Sequence, residues 1–317
     1  QYAAQNRAVT PKDYESRVKT IYANAKSVSV WGGEDNDTPF YGRVYISIKP
    51  VAGATLTETT KTDIINKLKE FNVASITPII QDPETTSVQL TVSVKYDAKS
   101  TTKTADSIKA LVTSAITDFN TNNLQEFDSI FRHSKFIETI NKVDNSILSN
   151  ITTVKLHKSF TAVTTGSTTY TVGFNNALYN PHSGHNASGG GILTSSGFKI
   201  SGDATNEYFL DEDGAGNVRL YYLVGTTRTY SNSSQGTINY ATGVVTINSL
   251  NVTSVSNVDG ATSTAIRLTV IPSSVDVIPV RNQVLEIDEA NTTVSVSADT
   301  YDTTSGIGYT SATSYAS

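Results

Sequence analysis

Within residues 8–50, the spacing of the apolar residues changes once, from the spacing typical of a helix to the alternation typical of strands. Thr10 and Pro11 form a helix start, because Thr accepts hydrogen bonds from free N–H groups and Pro suits the first helical position. Apolar residues then recur at helical spacing as far as Ile21. Beyond them, the alternation typical of strands places apolar side chains at Val28, Val30, Val44, Ile46 and Ile48. A polar turn separates the two strands, and Pro50 ends the second. This stretch therefore predicts one helix followed by two strands.

The following residues continue to alternate between helix and strand patterns. Residues 57–71 and 104–119 carry apolar stripes at helical spacing, whereas residues 76–80 and 88–96 alternate as strands do. Helices packed on one face of a mainly antiparallel sheet would produce this order. The sequence therefore predicts an α+β fold that begins with an α/β-sandwich-like domain over residues 1–160 and continues into a β-rich domain.

A third helix is predicted over residues 127–147, and its apolar residues fall on two sides. One side carries Phe127, Ile130, Phe131 and Ile137. A helix that is apolar on two sides must be covered on two sides. Either this helix lies inside its own domain, or the second stripe docks on another subunit. In the second case the subunit-interface residues are Phe136, Ile140, Val143 and Ile147.

The composition changes near the middle of the chain, where helical spacing ends and Thr, Gly, Asn, Val and Tyr become frequent. Residues 161–264 are predicted to form the β-rich domain, with hairpin turns at residues 211–217 and 241–243. Strands over residues 265–300 are predicted to return to the first domain's sheet, which would make the β-rich domain an insertion. Residues 301–317 are predicted to be a polar tail.

Charge and cysteine content exclude several classes of function. The chain has 24 Lys and Arg against 29 Asp and Glu, without a basic block, so nucleic acid is not an expected partner. No apolar run is long enough to span a bilayer, so no membrane partner is expected. Cysteine is absent, which excludes disulfides and thiolate metal sites. Because the sequence begins at Gln1 and contains no Met, we expect it to be the C-terminal part of a longer protein.

Two clusters have the residue types of a metal site without its spacing. Asp211 and Asp213 resemble the start of a calcium loop, but Ala215 and Tyr222 stand where such a loop needs oxygen ligands. A hairpin turn is the better interpretation of this segment.

The second cluster is the pair His182 and His185, which lies in a segment of loop composition without a nearby carboxylate to complete a ligand set. Solvated loop histidines are the better interpretation here. We therefore predict no metal and no cofactor.

Recognisable catalytic motifs are absent from the sequence. It has no phosphate loop, dinucleotide fingerprint or Gly-x-Ser-x-Gly elbow. His133 and His157 could act as bases, but neither has a Ser or a carboxylate in a recognisable sequence relation. Trp31, the sole tryptophan, is expected to anchor the following glycine turn on the core or to lie at a subunit interface. No enzyme activity and no small-molecule substrate are predicted.

Several segments resemble the baseplate J-like wedge proteins of contractile-tailed phages, and in particular the C-terminal part of the large wedge subunits of T-even-type baseplates. The segments are AVTPKDY (8–14), SVWGGED (29–35), YGRVYISIKP (41–50), FRHSK (131–135), the Gly-x-Ile-x-Tyr-x-Thr-Gly pattern from residue 236, and PVRNQVLEID (279–288). They extend over most of the chain.

The resemblance implies a late structural protein of the virion, located in the tail baseplate and assembled in the host cytoplasm. It implies a subunit that forms a homodimer, docks on the other baseplate wedge proteins and joins neighbouring wedges into a ring around the tail tube. Such a ring would couple host recognition to sheath contraction.

Two other functions stay open at this point. The many Thr, Asn and Tyr residues of the β-rich domain permit a glycan-binding or adhesive module of a tail protein, although no turn carries a cluster of aromatic residues. A wall-degrading enzyme would need a pair of carboxylates in a cleft, and such a pair is spatial rather than sequential.

We expect removal of metal ions to leave the protein unchanged, because neither the acidic turn nor the histidine pair has the ligand spacing of a metal site. The melting temperature should be the same with and without a chelator. A decrease larger than the scatter of repeat measurements would show that His182 and His185, or Asp211 and Asp213, hold a structural metal.

Overall fold

The computed structural model describes residues 7–36, 38–73, 75–185 and 191–299 of the 317-residue chain. The α-helices among these residues are α1 (Pro11–Ile21), α2 (Glu58–Leu68), α3 (Ala105–Asn123) and α4 (His133–Asn141). The polar tail predicted over residues 301–317 lies outside the described residues.

The strands of the described residues form three sheets. The first eight strands are β1 (Ala25–Gly32), β2 (Arg43–Pro50), β3 (Thr77–Gln81), β4 (Glu84–Tyr96), β5 (Ile147–Thr161), β6 (Thr168–Gly173), β7 (Thr194–Ser195) and β8 (Phe198–Ile200). The others are β9 (Asp203–Glu212), β10 (Asn217–Val224), β11 (Thr227–Asn239), β12 (Val244–Leu250), β13 (Val252–Val255), β14 (Ala265–Val270), β15 (Gln283–Ile287) and β16 (Thr293–Ala298).

Residues 8–81, which we term the N-terminal unit, form a three-stranded sheet in the order β1-β2-β3 with α1 and α2 on one face. β1 and β2 are antiparallel, and β3 joins β2 in parallel. Helix α1 begins as predicted. The Thr10 hydroxyl accepts from the Asp13 N–H, and the Asp13 carboxylate accepts from the Thr10 N–H at 2.9 Å. This reciprocal capping satisfies two N–H groups that the helix itself leaves free.

Residues 84–299, which we term the body, contain the other two sheets. The first has the order β15-β4-β5-β14-β7, with β16 also paired to β4. Helices α3 and α4 cover one of its faces through α3–β16 and α4–β5 contacts. The second sheet has seven strands in the order β13-β8-β9-β10-β11-β12-β6. One apolar core runs through both sheets of the body.

The α+β class predicted from the sequence is confirmed, and the later part of the chain is β-rich. Residues 1–160 differ from the prediction in one respect, because their described part contributes to two sheets with separate cores rather than to one sheet. The strands after residue 264 pair with β4 and β5. The exact domain boundaries stay a prediction.

The third predicted helix is much shorter than residues 127–147, because α4 begins only at His133. Gln125 and Asp128 both have a φ of 63°, a left-handed conformation that interrupts a helix. Phe131 then forms an isolated antiparallel bridge with Val277. Phe127, Ile130 and Phe131 thus precede α4, and Ile147 begins β5. The two predicted apolar stripes are therefore not two sides of one helix.

Within the described residues, no helix combines the length and the apolar character needed to cross a membrane.

We expect Ile140→Ala to destabilise the fold by about 2 to 5 kcal/mol, because Ile140 is fully buried and its truncation leaves a cavity in the core of the body. Ile151→Ala is a matched control, since Ile151 is 45% exposed on β5 and its truncation should change stability by less than about 0.5 kcal/mol. Urea unfolding of the two variants tests this. Equal midpoints would show that Ile140 does not support the core.

Candidate functional site

The predicted interface residues of α4 face the core of the body. Phe136 and Ile140 are fully buried. The Phe136 ring meets the Phe119 ring edge-on at 5.3 Å between centroids, and such pairs add to the stability that burial itself gives. Val143 and Ile147 are half-buried against the same core. In this chain these residues fill their own core, and their role at a subunit interface stays a prediction.

Trp31 lies on the face of the N-terminal sheet that is opposite to α1 and α2. Its indole Nε1 donates to the Asn36 side-chain oxygen at 2.9 Å, and its ring stacks on Tyr45 at 5.8 Å between centroids. Trp31 is 8% exposed. It therefore contacts the turn that follows β1 through Asn36, and both its anchoring of that turn on the core and its interface role stay predictions.

The same face of the sheet carries small polar residues. In the register of β1 and β2, Ser29 pairs with Ser47, and Ser27 pairs with Lys49. Alternation along each strand turns the apolar neighbours of these residues toward α1 and α2. We term Ser27, Ser29, Ser47 and Lys49 the serine face.

The serine face lies against two loops of the body. The Ser29 hydroxyl donates to the Arg281 carbonyl at 3.1 Å, and the Phe127 N–H donates to the Ser27 hydroxyl at 3.2 Å. Beside them, Lys26 Nζ donates to Gln125 Oε1 at 3.1 Å. Side-chain hydrogen bonds therefore connect the N-terminal unit to the body.

Two clefts lie beside this contact. One has a volume of about 660 Å³ and includes Trp31, Phe40, Gln81 and Asn282 in its lining. The other has a volume of about 320 Å³ and is lined in part by Lys49 of the N-terminal unit and by residues of the body. Both clefts thus lie between the same two parts of the chain.

A nearly buried histidine–carboxylate pair lies at β5 of the first body sheet. His157 Nε2 is 2.7 Å from Asp288 Oδ2, and both side chains are close to nine-tenths buried. Asn291 donates to both carboxylate oxygens of Asp288, from its backbone at 3.1 Å and from its side chain at 2.7 Å. Sequence reasoning missed this pair because the two residues are 131 positions apart. The pair fixes the loop after β15 to β5.

Burial lowers the pKa of the His157 imidazole below its ordinary value of 6.5, although the hydrogen bond to Asp288 opposes part of this effect. The pKa of Asp288 is also lowered: burial raises it, but the hydrogen bonds from Asn291 and His157 outweigh burial. His157 is therefore neutral at neutral pH and can donate from Nε2 to the carboxylate.

Next to this pair lies a polar cavity of about 510 Å³ between the two sheets of the body. Lys158 lines it, and its Nζ donates to Glu84 Oε2 at 2.9 Å and to the Gly173 carbonyl at 2.7 Å. The lysine thus links β5 to the start of β4 and to the end of β6. The charged Lys158 side chain therefore has a structural role.

The acidic turn of the second sheet is built around a buried charge. Asp211 is fully buried, and its carboxylate accepts from Arg219 Nε at 2.9 Å, from Arg228 Nη1 at 2.7 Å and from the Tyr230 hydroxyl at 2.9 Å. A carboxylate withdrawn from water needs such partners to offset its lost hydration. Asp211 therefore ties β9, β10 and β11 together.

Asp213 has a different task from Asp211. Its carboxylate accepts from the backbone N–H groups of Ala215 and Asn217 at 2.8 and 3.0 Å and from the Asn217 side chain at 2.7 Å. It shapes the turn between β9 and β10, as the hairpin prediction required. Asp211 and Asp213 do not share a partner among these hydrogen bonds.

The other histidines make local contacts. His182 Nε2 and His185 Nδ1 are 3.2 Å apart in an exposed turn, with ring planes at 86° to each other. His133 Nε2 is 3.1 Å from the Thr152 carbonyl, which joins the start of α4 to β5. In the part of the chain that the structure describes, no three His, Cys, Asp or Glu side chains form a group that could hold a metal ion.

Two protein-family models match the first half of the chain. The model described as baseplate structural protein gp6, C-terminal domain I, matches residues 10–81, which make up nearly all of the N-terminal unit. The model described as baseplate structural protein gp6, C-terminal domain III, matches residues 84–159, from β4 into β5. The boundary between the two matches falls at Asp82 and Pro83, where the N-terminal unit joins the body.

A curated protein and a solved structure are also similar to the chain. Baseplate wedge protein gp6 of Enterobacteria phage T4 is 27% identical over 152 residues, which are 48% of this chain and 23% of that protein. The chain thus matches less than a quarter of the length of this relative. The cryo-EM structure of the anti-feeding prophage baseplate, 6-fold symmetrised, covers 48% of this chain and 34% of its own, with 11% identity and a TM-score of 0.39. That TM-score does not establish a shared fold.

The two family models and the curated relative all describe structural or wedge proteins of a phage baseplate, and the similarity supports a baseplate structural role. Residues 10–81 and 84–159 are similar to C-terminal domains I and III of the baseplate structural protein gp6, and the two matches together span just under half of the chain.

We expect His157 to make stability depend on pH. Its pKa is lowered in the folded state, so the unfolded state binds the proton more readily, and the stabilisation present above the unfolded pKa is lost as the pH falls through the folded pKa. Between about pH 7 and about pH 5, the melting temperature of the natural protein should fall more than that of His157→Gln, which keeps a donor for Asp288 but does not titrate. His182→Gln, at an exposed position, is the control. Identical slopes for the natural protein and His157→Gln would contradict this.

Proposed function

We propose that this chain self-associates and joins neighbouring wedges of the baseplate into a ring around the tail tube. The observation that carries the proposal is the match of two C-terminal gp6 domains over consecutive segments of the chain, residues 10–81 and 84–159. The partners are a second copy of the subunit and the other wedge proteins. Neither nucleic acid nor a membrane is part of the proposal.

The proposed ring couples host recognition to sheath contraction by changing its shape. Such a change needs rigid parts whose contacts have more than one discrete arrangement. The body supplies a rigid part, because a single apolar core spans both of its sheets. Its first sheet is additionally closed by strands from distant parts of the chain, and the Asp211 cluster joins three strands of its second sheet.

The proposed role is structural and not catalytic. The matched relatives are described as structural or wedge proteins of baseplates. The titratable pair that geometry brings together, His157 and Asp288, is nearly buried and hydrogen-bonded within the chain. Lys158 and Asp211 likewise form hydrogen bonds with residues of neighbouring strands. These groups support the fold, and none of them is needed for chemistry on a substrate in this proposal.

We expect the purified chain to be a dimer or a larger species that persists on dilution, because self-association of the wedge subunit is part of the proposal. Light scattering coupled to size-exclusion chromatography across a concentration series measures the mass. A monomer at every concentration would contradict self-association by this part of the protein.

A variant of the half-buried Val143 tests the predicted interface stripe. Val143→Asp should reduce association while the circular dichroism spectrum is kept, since a charge desolvated at an interface is costly. Asn145→Asp adds the same charge at an exposed position two residues away and should leave the mass unchanged. A dimeric Val143→Asp variant would remove Val143, and with it the predicted stripe, from the interface.

A further inference from the structure

We propose that the N-terminal unit turns as a rigid body on the rest of the chain, with its hinge at Asp82 and Pro83 and with the serine face as the surface that slides. The movement is a property of a single chain. This proposal goes beyond the proposed ring and does not depend on it. The hinge can be disproved without disproving the ring, and the ring without disproving the hinge.

The first support is the separation of the two apolar cores. The N-terminal unit has its own core between α1, α2 and its sheet, and none of its described residues belongs to the core of the body. Among the described residues, no helix or strand of the N-terminal unit packs extensively on a helix or strand of the body. Since burial of apolar surface is the main force that fixes packed elements to each other, little of it resists a rotation between the two parts.

The second support is the chemistry of the contact. Ser27, Ser29 and Lys26 make hydrogen bonds to loops of the body, and water can replace such bonds at small net cost. Ser47 is fully buried at the centre of the serine face, and its hydroxyl has no hydrogen-bond partner among the residues that the structure describes.

The third support is the construction of the connection at residues 82 and 83. Asp82 is bound to the N-terminal unit, because Lys61 Nζ on α2 donates to its carboxylate at 2.8 Å. Glu84 is bound to the body, because its N–H donates to the Asn282 carbonyl at 2.9 Å and its carboxylate accepts from Lys158. Glu84 is thus fixed to the body, whereas Asp82 contacts both parts, because the Asn282 side chain of the body also donates to the Asp82 carbonyl at 3.4 Å. A rotation would be absorbed by the backbone angles next to Pro83.

The fourth support is the space around the contact. The clefts of about 660 and 320 Å³ each have both the N-terminal unit and the body in their walls. Rotation in one direction can close one cleft without displacing packed side chains, because the lining is largely polar and open to water. A close-packed contact would not permit this.

The test is a distance distribution between two spin labels, measured by double electron–electron resonance on the full chain. The chain has no cysteine, so two introduced cysteines are the sole labelling sites. Thr62→Cys on α2 with Thr121→Cys on α3 reports on the contact, since both positions are exposed. Thr121→Cys with Ser233→Cys, another exposed position, stays within the body and is the control.

The expected result is a distribution for the first pair that is broader than that of the control, or that has two maxima. Lys26→Ala combined with Ser29→Ala removes two of the hydrogen bonds at the contact and should broaden the first distribution further or shift the populations of its maxima. Equal widths for the two pairs in the natural background would overturn the proposal. A first distribution unaffected by the double substitution would overturn the serine face as the sliding surface.

Discussion

The architecture depends on strand β4, which is hydrogen-bonded along both edges by segments that are distant in the sequence. β5 pairs with one edge in antiparallel orientation, and β15 and β16 pair with the other in parallel. The Leu90 N–H donates to the Thr292 hydroxyl across 202 residues. Pairing over such separations closes a long loop and is entropically costly, so it must be supported by the core that the sheet covers.

This closure explains how the second sheet of the body is held. β5 leads out of the first sheet, the strands of the second sheet follow, and β14 returns to pair with β5 along Ile266, Leu268 and their neighbours. The chain therefore leaves the first sheet after β5 and returns to it at β14, the strand next to β5. Because the two sheets share one apolar core, the second sheet cannot move without disturbing the first.

Local patterns in the sequence were sufficient for much of this fold. The helix start at Thr10, the alternation of β4 and the hairpin turns at residues 211–217 and 241–243 all follow from interactions between residues close in the chain. Local rules failed at residues 127–147, where apolar spacing alone suggested one long helix. The left-handed backbone at Asp128 and the bridge from Phe131 to Val277 depend on tertiary packing, which periodicity does not contain.

The candidate sites were less predictable than the fold, for a related reason. His157 was noticed in the sequence, but its partner Asp288 is brought near by the return of β15 to β4. The buried state of Asp211 depends in the same way on arginines of two other strands. A charged residue that alternates with apolar residues along a strand is normally expected to face solvent. Its burial depends on which other elements cover that face of the sheet.

The serine face shows how one strand can serve two mechanical purposes. Ile46 and Ile48 of β2 turn into the core of the N-terminal unit, while Ser47 and Lys49 turn toward the body. Apolar residues at those two positions would merge the two cores into one rigid mass. Small hydroxyl side chains allow close contact without strong apolar burial. The alternation of strand residues therefore sets both the rigidity of each part and the freedom between them.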